Sequence, residues 1–237
     1  MQVGAGTRQL ALGLDQAYHG APQIRKNARE AVGPQVRGEQ PLPASDRLFE
    51  PDHGLVIVCS GVRDEALDAG QPVIASFAFG SAELYAWMDQ NPGVRMMRTE
   101  TTNDPARIAR RSRMTSVNSA LQVDLFAQAN ASHVRGAIYS GFGGQTDFIV
   151  GALHSHGGEA IIALPSWHPK AGVSTVVPRL AGPVTSFQHS FIVSDQGTAA
   201  VWGSDASAQA EAIINGVAHP SAREELRAAG RELGLRL

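Results

Sequence analysis

From Gly54 onward the chain alternates between short apolar runs and stretches with polar positions at helical spacing. Leu55-Val-Ile-Val-Cys59, Pro72 to Phe79 and Ala160-Ile-Ile-Ala-Leu164 are compact and bounded by turn formers, which predicts buried strands. Val94 to Thr101, the segments from Met114 to Val123 and from Val134 to Tyr139 around a turn at Asn130, Val176–Val177, Val184 and Phe191–Val193 read as further strand pieces. Helix signals lie between them. Arg63 to Asp68 is a short helical piece ending at Gly70. Ser81 caps a helix over Ala82 to Asp89, which Asn91-Pro92 ends. Asp104-Pro105 opens another in the N-cap then N1 arrangement, and Asp147 is the candidate N-cap of a helix reaching His154. Ala206 to Val217 is helical and is broken by His219-Pro220; Ser221 caps a last helix over Ala222 to Leu233, with Gly234 near its end. Strands alternating with helices predict an α/β fold: a mainly parallel sheet with flanking helices. No internal repeat is found.

The first 53 residues read differently. Met1 to Gly6 is a short strand running into a glycine turn, where Gly4 and Gly6 could approach a phosphate. Residues 8 to 53 carry Gly20, Pro22, Gly33, Pro34, Gly38, Pro41 and Pro43 with little apolar periodicity, the composition of loop, linker or disorder. The expected division is an atypical Gly/Pro-rich segment over 1–53, poorly ordered or mis-sequenced, followed by one α/β domain over 54–237.

Composition narrows the function. With 237 residues, 43% of them hydrophobic, the chain can bury a substantial core. A net charge of -2 gives no mark of a nucleic-acid or membrane-surface binder. Arg107, Arg110, Arg111 and Arg113 form one basic run, readable as a solvated helix face or an anion site. The single cysteine, Cys59, rules out an internal disulfide framework and fits a reducing compartment. No run of about 18 apolar residues suggests a membrane span, and no basic region followed by an apolar core suggests a secretory signal. The expected location is cytoplasmic.

The stretch that carries chemistry is Tyr139 to Gly158, YSGFGGQTDFIVGALHSHGG. Glycine turns on both sides of a short helix, between two buried strands, suggest a phosphate or oxyanion cradle. Glycine lets backbone N–H groups approach a ligand closely, and a helix N-terminus favours negative charge. Tight packing corners are the plainer reading of the same pattern. Eight histidines raise a metal alternative through His154 and His156, with His168, His189 and His219 later. No H-E-x-x-H motif accompanies them, and neither Ser155 nor Ser166 lies in a G-x-S-x-G setting, so neither metal hydrolysis nor a serine nucleophile is expected.

From about Gln71 a series of segments resembles the C-terminal half of the acetyl-CoA hydrolase/transferase family. They are Phe77-Ala-Phe-Gly-Ser-Ala-Glu-Leu-Tyr85, Asn91-Pro92, Thr102-Asn-Asp-Pro105, Ser116-Val-Asn-Ser-Ala-Leu-Gln-Val-Asp-Leu125 and Ser140-Gly-Phe-Gly-Gly-Gln-Thr-Asp-Phe148. Ile161-Ile-Ala-Leu-Pro-Ser166, Val176-Val-Pro178, Val184-Thr185 and Ala218-His-Pro220 continue the order. Gln2-Val-Gly-Ala-Gly6 resembles a glycine turn upstream in the same half. The resemblance implies a CoA-transferase C-terminal-domain fold over 54–237. It also implies a reaction in which a glutamate attacks an acyl-CoA thioester, passing through an acyl-glutamyl anhydride and a glutamyl-CoA thioester to a small carboxylate acceptor, or to water in hydrolases. Coenzyme A, as acyl-CoA, would then be handled by Gly143 and Gly144, with Gly4 and Gly6 as further candidates, and no metal is required.

This sequence departs from the family pattern in ways that matter. The glutamate's position falls near Val56; the neighbouring carboxylates are Glu50 and Glu65, with Glu65 the fallback on a polar helical piece, while Glu100 reads as structural. A lysine usual after the second Gly-Gly is Glu159 here. In the late V-T-E-Y-G-like segment, Val193-Ser-Asp-Gln-Gly197, Asp195 shortens the carboxylate by one methylene, which suits a structural hydrogen bond better than a placed catalytic one. The two expectations are therefore an acyl-CoA:carboxylate CoA-transferase or acetyl-CoA hydrolase, and a catalytically inactive CoA-binding or partner-dependent fragment. A homo-oligomer, or a missing N-terminal half, is the expected assembly question.

Overall fold

A computed structural model describes residues 23, 24, 26, 27, 72–78, 82–141, 143–184 and 186–237. The predicted strand at Leu55–Cys59, the helical piece at Arg63–Asp68, Gly4, Gly6, Glu50, Val56 and Glu65 lie outside the described residues.

Two short parallel strands come first, β1 (Val73–Ala75) and β2 (Val94–Met96), with Val73 opposite Val94. Between them runs α1 (Ala82–Met88), anchored by fully buried Leu84. Asn91 ends α1 as expected, its side-chain amide donating to the Trp87 carbonyl at 3.1 Å. The strand read over Val94 to Thr101 stops early. Thr101 and Thr102 both donate backbone N–H to the Arg98 carbonyl, at 2.9 and 3.2 Å, and wind the chain into α2 (Thr99–Thr102). Glu100 is therefore helical, and it pairs with Arg98 at the surface. The next helix, α3 (Pro105–Ala109), starts as read: Asp104 accepts from the Ala106 N–H at 2.9 Å and Pro105 takes N1.

The remaining elements are β3 (Thr115–Ser119), β4 (Gln122–Asp124), β5 (Ala129–Asn130), β6 (His133–Val134), β7 (Ala137–Ile138), α4 (Gln145–His154) and β8 (Glu159–Ala163). Then come β9 (Trp167–His168), β10 (Val173–Ser174), β11 (Val176–Val177), β12 (Phe191–Val193), β13 (Thr198–Ala200), α5 (Ala206–Gly216), a 3-10 turn (Pro220–Ala222) and α6 (Arg223–Glu232).

The main sheet has the order β13-β12-β8-β3. Its three strands β3, β8 and β12 are parallel, with Val117 and Phe191 flanking Ile161, and only β13 is antiparallel. This is the parallel sheet the alternating pattern predicts. Outside it the pairing is mixed: β11-β4-β5 has one parallel and one antiparallel partnership, and β6–β7 and β9–β10 are antiparallel ribbons.

Continuous apolarity in β8 has a simple cause. Ala160, Ile161, Ile162 and Ala163 are all fully buried, so both faces of the strand are covered and no polar alternation survives. Ile162, Leu164, Ile192, Ile213, Ile214 and Leu226 belong to one core that joins the sheet to α5 and α6, and Ile149 of α4 reaches the same core. Helix α3 closes on α4 through Gly151, where a Cβ would stand 2.5 Å from the Ile108 side chain.

Two capping assignments are corrected. Helix α4 is capped by Gly144, not Asp147: the Gly144 carbonyl already accepts from the Phe148 N–H at 3.1 Å, so the helix starts two residues before Asp147. Asp147 stands in the first turn, where a carboxylate favours the positive helix end. At the other end of the chain, α6 begins at Arg223 rather than Ala222. His219, not Ser221, caps the preceding 3-10 turn, its Nδ1 accepting from the Ser221 N–H at 3.4 Å. Within the stretch read as loop over 8–53, Gln23, Ile24, Lys26 and Asn27 are helical. Ile24 is buried, and Asn27 donates its amide to the Ser194 carbonyl at 2.7 Å. Tertiary contact supplies there what local periodicity does not show.

Candidate functional site

The glycine turn sits at the start of α4. Gly143 has φ +59, the left-handed conformation that glycine adopts without a side-chain penalty. Gly144 is glycine for a different reason: a Cβ there would collide with the side-chain amide of Asn103 and lie 3.5 Å from the Phe148 ring. Gly143 is exposed and Gly144 half-buried, while Gln145 immediately behind them is buried. The first N–H groups of an α-helix have no intrahelical acceptor and point out of its N-terminus. In α4 they point toward this turn.

Asn103 comes from a distant segment. It closes α2, its Oδ1 accepts from the Thr102 hydroxyl at 2.8 Å, and its Nδ2 donates to Asp147 Oδ2 at 3.5 Å. The Thr102-Asn-Asp-Pro105 and Ser140-to-Phe148 segments, 44 residues apart at the Asn103–Asp147 contact, are thus brought together on one helix end. The β6–β7 ribbon leads into the turn. Arg135 and Gly136, both at positive φ, make its two-residue bend, and Ile138 and Tyr139 are 78% and 77% exposed just before the glycines.

A second polar cluster lies where β8 and β12 end. Asp195 accepts from the Ser166 N–H at 2.6 Å, the Ser166 hydroxyl at 3.0 Å and the Gln196 amide at 2.7 Å. Burial alone would raise the Asp195 carboxyl, but these hydrogen bonds outweigh it and hold the group below its ordinary pKa. The shortened carboxylate is fully occupied in tying two strand ends together. Asp195→Ala is expected to cost about 2 kcal/mol, because fully buried Ser166 loses both acceptors; urea unfolding of the two chains measures it.

Other candidates lie away from the turn. Glu159 opens β8, beyond the far end of α4, which its ten residues make about 15 Å long. Two members of the basic run lie at that far end: Arg113 donates its N–H to the His156 carbonyl at 2.7 Å, and the Ser155 hydroxyl donates to the Arg111 carbonyl at 2.5 Å. Arg107 pairs with Asp104 at 3.5 Å. His154 caps its own helix, with Nδ1 2.8 Å from the Val150 carbonyl. Among the described residues, no three His, Cys, Asp or Glu side chains gather as a metal site, and no helix is long and apolar enough to cross a membrane. His189 is fully buried, and neither ring nitrogen has a hydrogen-bond partner among the described residues. Asn103 has no assigned role in the sequence pattern beyond lying within the Thr102-Asn-Asp-Pro105 segment.

The chain is 37% identical over 158 residues to the 4-hydroxybutyrate coenzyme A transferase of Clostridium kluyveri, a match covering 65% of this chain and 37% of that one. It is 33% identical over 131 residues to the acetyl-CoA hydrolase of Saccharomyces cerevisiae, covering 52% and 24%. Among solved structures, RipA from Yersinia pestis has a TM-score of 0.64 at 36% identity, over 69% of this chain and 37% of that one. The 4-hydroxybutyrate CoA-transferase from Porphyromonas gingivalis has 0.56 at 33% identity, over 69% and 38%. The chain thus spans well under half the length of these relatives. Residues 80–230 match the sequence model of the acetyl-CoA hydrolase/transferase C-terminal domain. That stretch is more than half of the chain, which therefore belongs to the acetyl-CoA hydrolase/transferase family.

Proposed function

We propose that this chain handles an acyl-CoA thioester in acyl-CoA:carboxylate CoA transfer or acetyl-CoA hydrolysis, through a glutamyl-CoA thioester. The observation that carries the reading is the Gly143–Gly144 turn, exposed at Gly143 and half-buried at Gly144, at the N-terminus of α4. In the first step a glutamate oxygen adds to the thioester carbonyl, and CoA thiolate leaves as the anhydride forms. The thiolate then adds to the glutamyl carbonyl and expels the acyl group as a carboxylate. Each addition places negative charge on a carbonyl oxygen, and backbone N–H groups at a glycine turn can receive it without side-chain obstruction. One such donor is worth about 3 kcal/mol of barrier. The second half-reaction reverses these steps with the acceptor carboxylate, or uses water. CoA is substrate here, no metal is invoked, and the lone cysteine fits a cytoplasmic setting.

A second reading is favoured by one observation: valine stands at position 56, near which the resemblance puts the family's glutamate, and the neighbouring glutamates are Glu50 and Glu65. On that reading the chain binds CoA without reacting, or acts with a partner that supplies the carboxylate. Intact-protein mass after acetyl-CoA and then borohydride, which reduces a glutamyl thioester to an alcohol, separates the two. A mass loss mapped to one glutamate is the expected result for the transferase reading. Unchanged mass in folded, CoA-binding protein would leave only the non-catalytic one.

A further inference from the structure

We propose that Asn103 is a positioning residue: wedged between Thr102 and Asp147, it fixes the Gly143–Gly144 turn so that its N–H groups face the thioester oxygen. The role of the turn rests on the function proposed above; the wedge stands on contacts alone. Asn103 is held from both sides, by the Thr102 hydroxyl on its Oδ1 at 2.8 Å and by Asp147 Oδ2 on its Nδ2 at 3.5 Å. Thr102 is itself buried at 5% exposure, and its single hydroxyl proton lies closer to Asn103 Oδ1 than to the alternative acceptor, the Thr99 carbonyl at 3.4 Å. Its amide lies so close to Gly144 that no Cβ fits between them.

The need for a wedge follows from the turn's own chemistry. Among the described residues nothing lies within 4 Å of where a Gly143 Cβ would stand, so none of them limits its backbone on that side. Two adjacent glycines have more accessible backbone states than any other pair. An oxyanion site works only when its donors are held in place before charge develops. Asn103 supplies the restraint that the glycines lack, and it does so from outside the loop, leaving the N–H face open.

The test uses the full chain labelled with 15N. In the native protein the Gly143, Gly144 and Gln145 amides should show order parameters near 0.85, and in Asn103→Ala the two glycines should fall below about 0.6. The β8 amides should be unchanged, which a general loss of structure would not allow. Affinity for a non-reacting ketone analogue of acetyl-CoA, which keeps the carbonyl oxygen that free CoA lacks, should fall about tenfold in Asn103→Ala by titration calorimetry, with affinity for CoA itself changing less. Thr102→Val, which leaves the amide in place but removes its hydroxyl support, should lie between the two. Equal order parameters at Gly143 and Gly144 in native and Asn103→Ala chains would overturn the positioning role. A turn that loosens in a protein with no CoA affinity at all would keep the wedge and sink the CoA reading instead. A turn that loosens with affinity for the ketone analogue unchanged would overturn the claim that its N–H groups face the thioester oxygen.

Discussion

Acidification from pH 7 to pH 4 is expected to destabilise the fold by about 3 kcal/mol through a single side chain, His189. Its ring is buried without a partner among the described residues, and burial pushes its pKa down from 6.5 to about 4. The folded state therefore holds the neutral ring. An unfolded chain takes up a proton below about pH 6.5, while the folded one does so only near pH 4, so between these values the unfolded state binds more protons. The contribution is complete above pH 6.5 and is lost as the pH falls toward 4. Asp195 acts in the same direction lower down: its depressed carboxyl stabilises the fold above the ordinary carboxylate pKa, and that stability is lost as the pH falls through the folded value. Urea midpoints at successive pH values give the slope, and His189→Leu should flatten it above pH 4.5. A native midpoint that stays constant from pH 6.5 to 4.5 would mean that the ring is not held neutral by burial.

Gly216→Ala is expected to cost about 3 kcal/mol, near the upper end for adding one methyl group to a packed interior. Gly216 ends α5, and a Cβ there would collide with the Thr198 carbonyl oxygen, with the Thr198 carbonyl carbon 2.9 Å away. These are backbone atoms of β13, fixed by the ladder that sets Ala199 opposite Ile192. No rotamer change can relieve the contact. The helix must lift, and it carries Ile213 and Ile214 away from the core. Gly182→Ala is the control, since a Cβ there meets nothing within 4 Å among the described residues at an ordinary φ, and it should stay within about 0.5 kcal/mol. Thermal unfolding of the two variants measures the contrast; equal midpoints would show that α5 shifts without loss.

The sheet and its helices were legible because burial wrote them plainly. The Ala160–Leu164 run, the Asp104-Pro105 start and the Asn91 stop each combine a local signal with the tertiary structure that uses it. Errors came where two local signals competed. Asp147 is a good cap residue, but the glycine before it begins the helix first. Thr99 to Thr102 has strand composition, yet closing on the Arg98 carbonyl winds it into a helical turn. In the candidate site, glycines marked the turn itself. Asn103 was not marked, because its part depends on a contact across 44 residues that no window of sequence contains.

The bond from Asn27 to the Ser194 carbonyl joins positions 167 residues apart. Entropy hardly opposes so distant a closure, since doubling a loop adds only about 0.6 kcal/mol. Timing is what the separation governs. At ribosomal speeds, the helical residues 23, 24, 26 and 27 wait roughly 8 to 30 seconds before Ser194 is even made. Strands β3 and β8 are both available well before that moment. Ser194 directly follows β12 and precedes β13, so the contact forms only as the last two strands of the sheet are being completed.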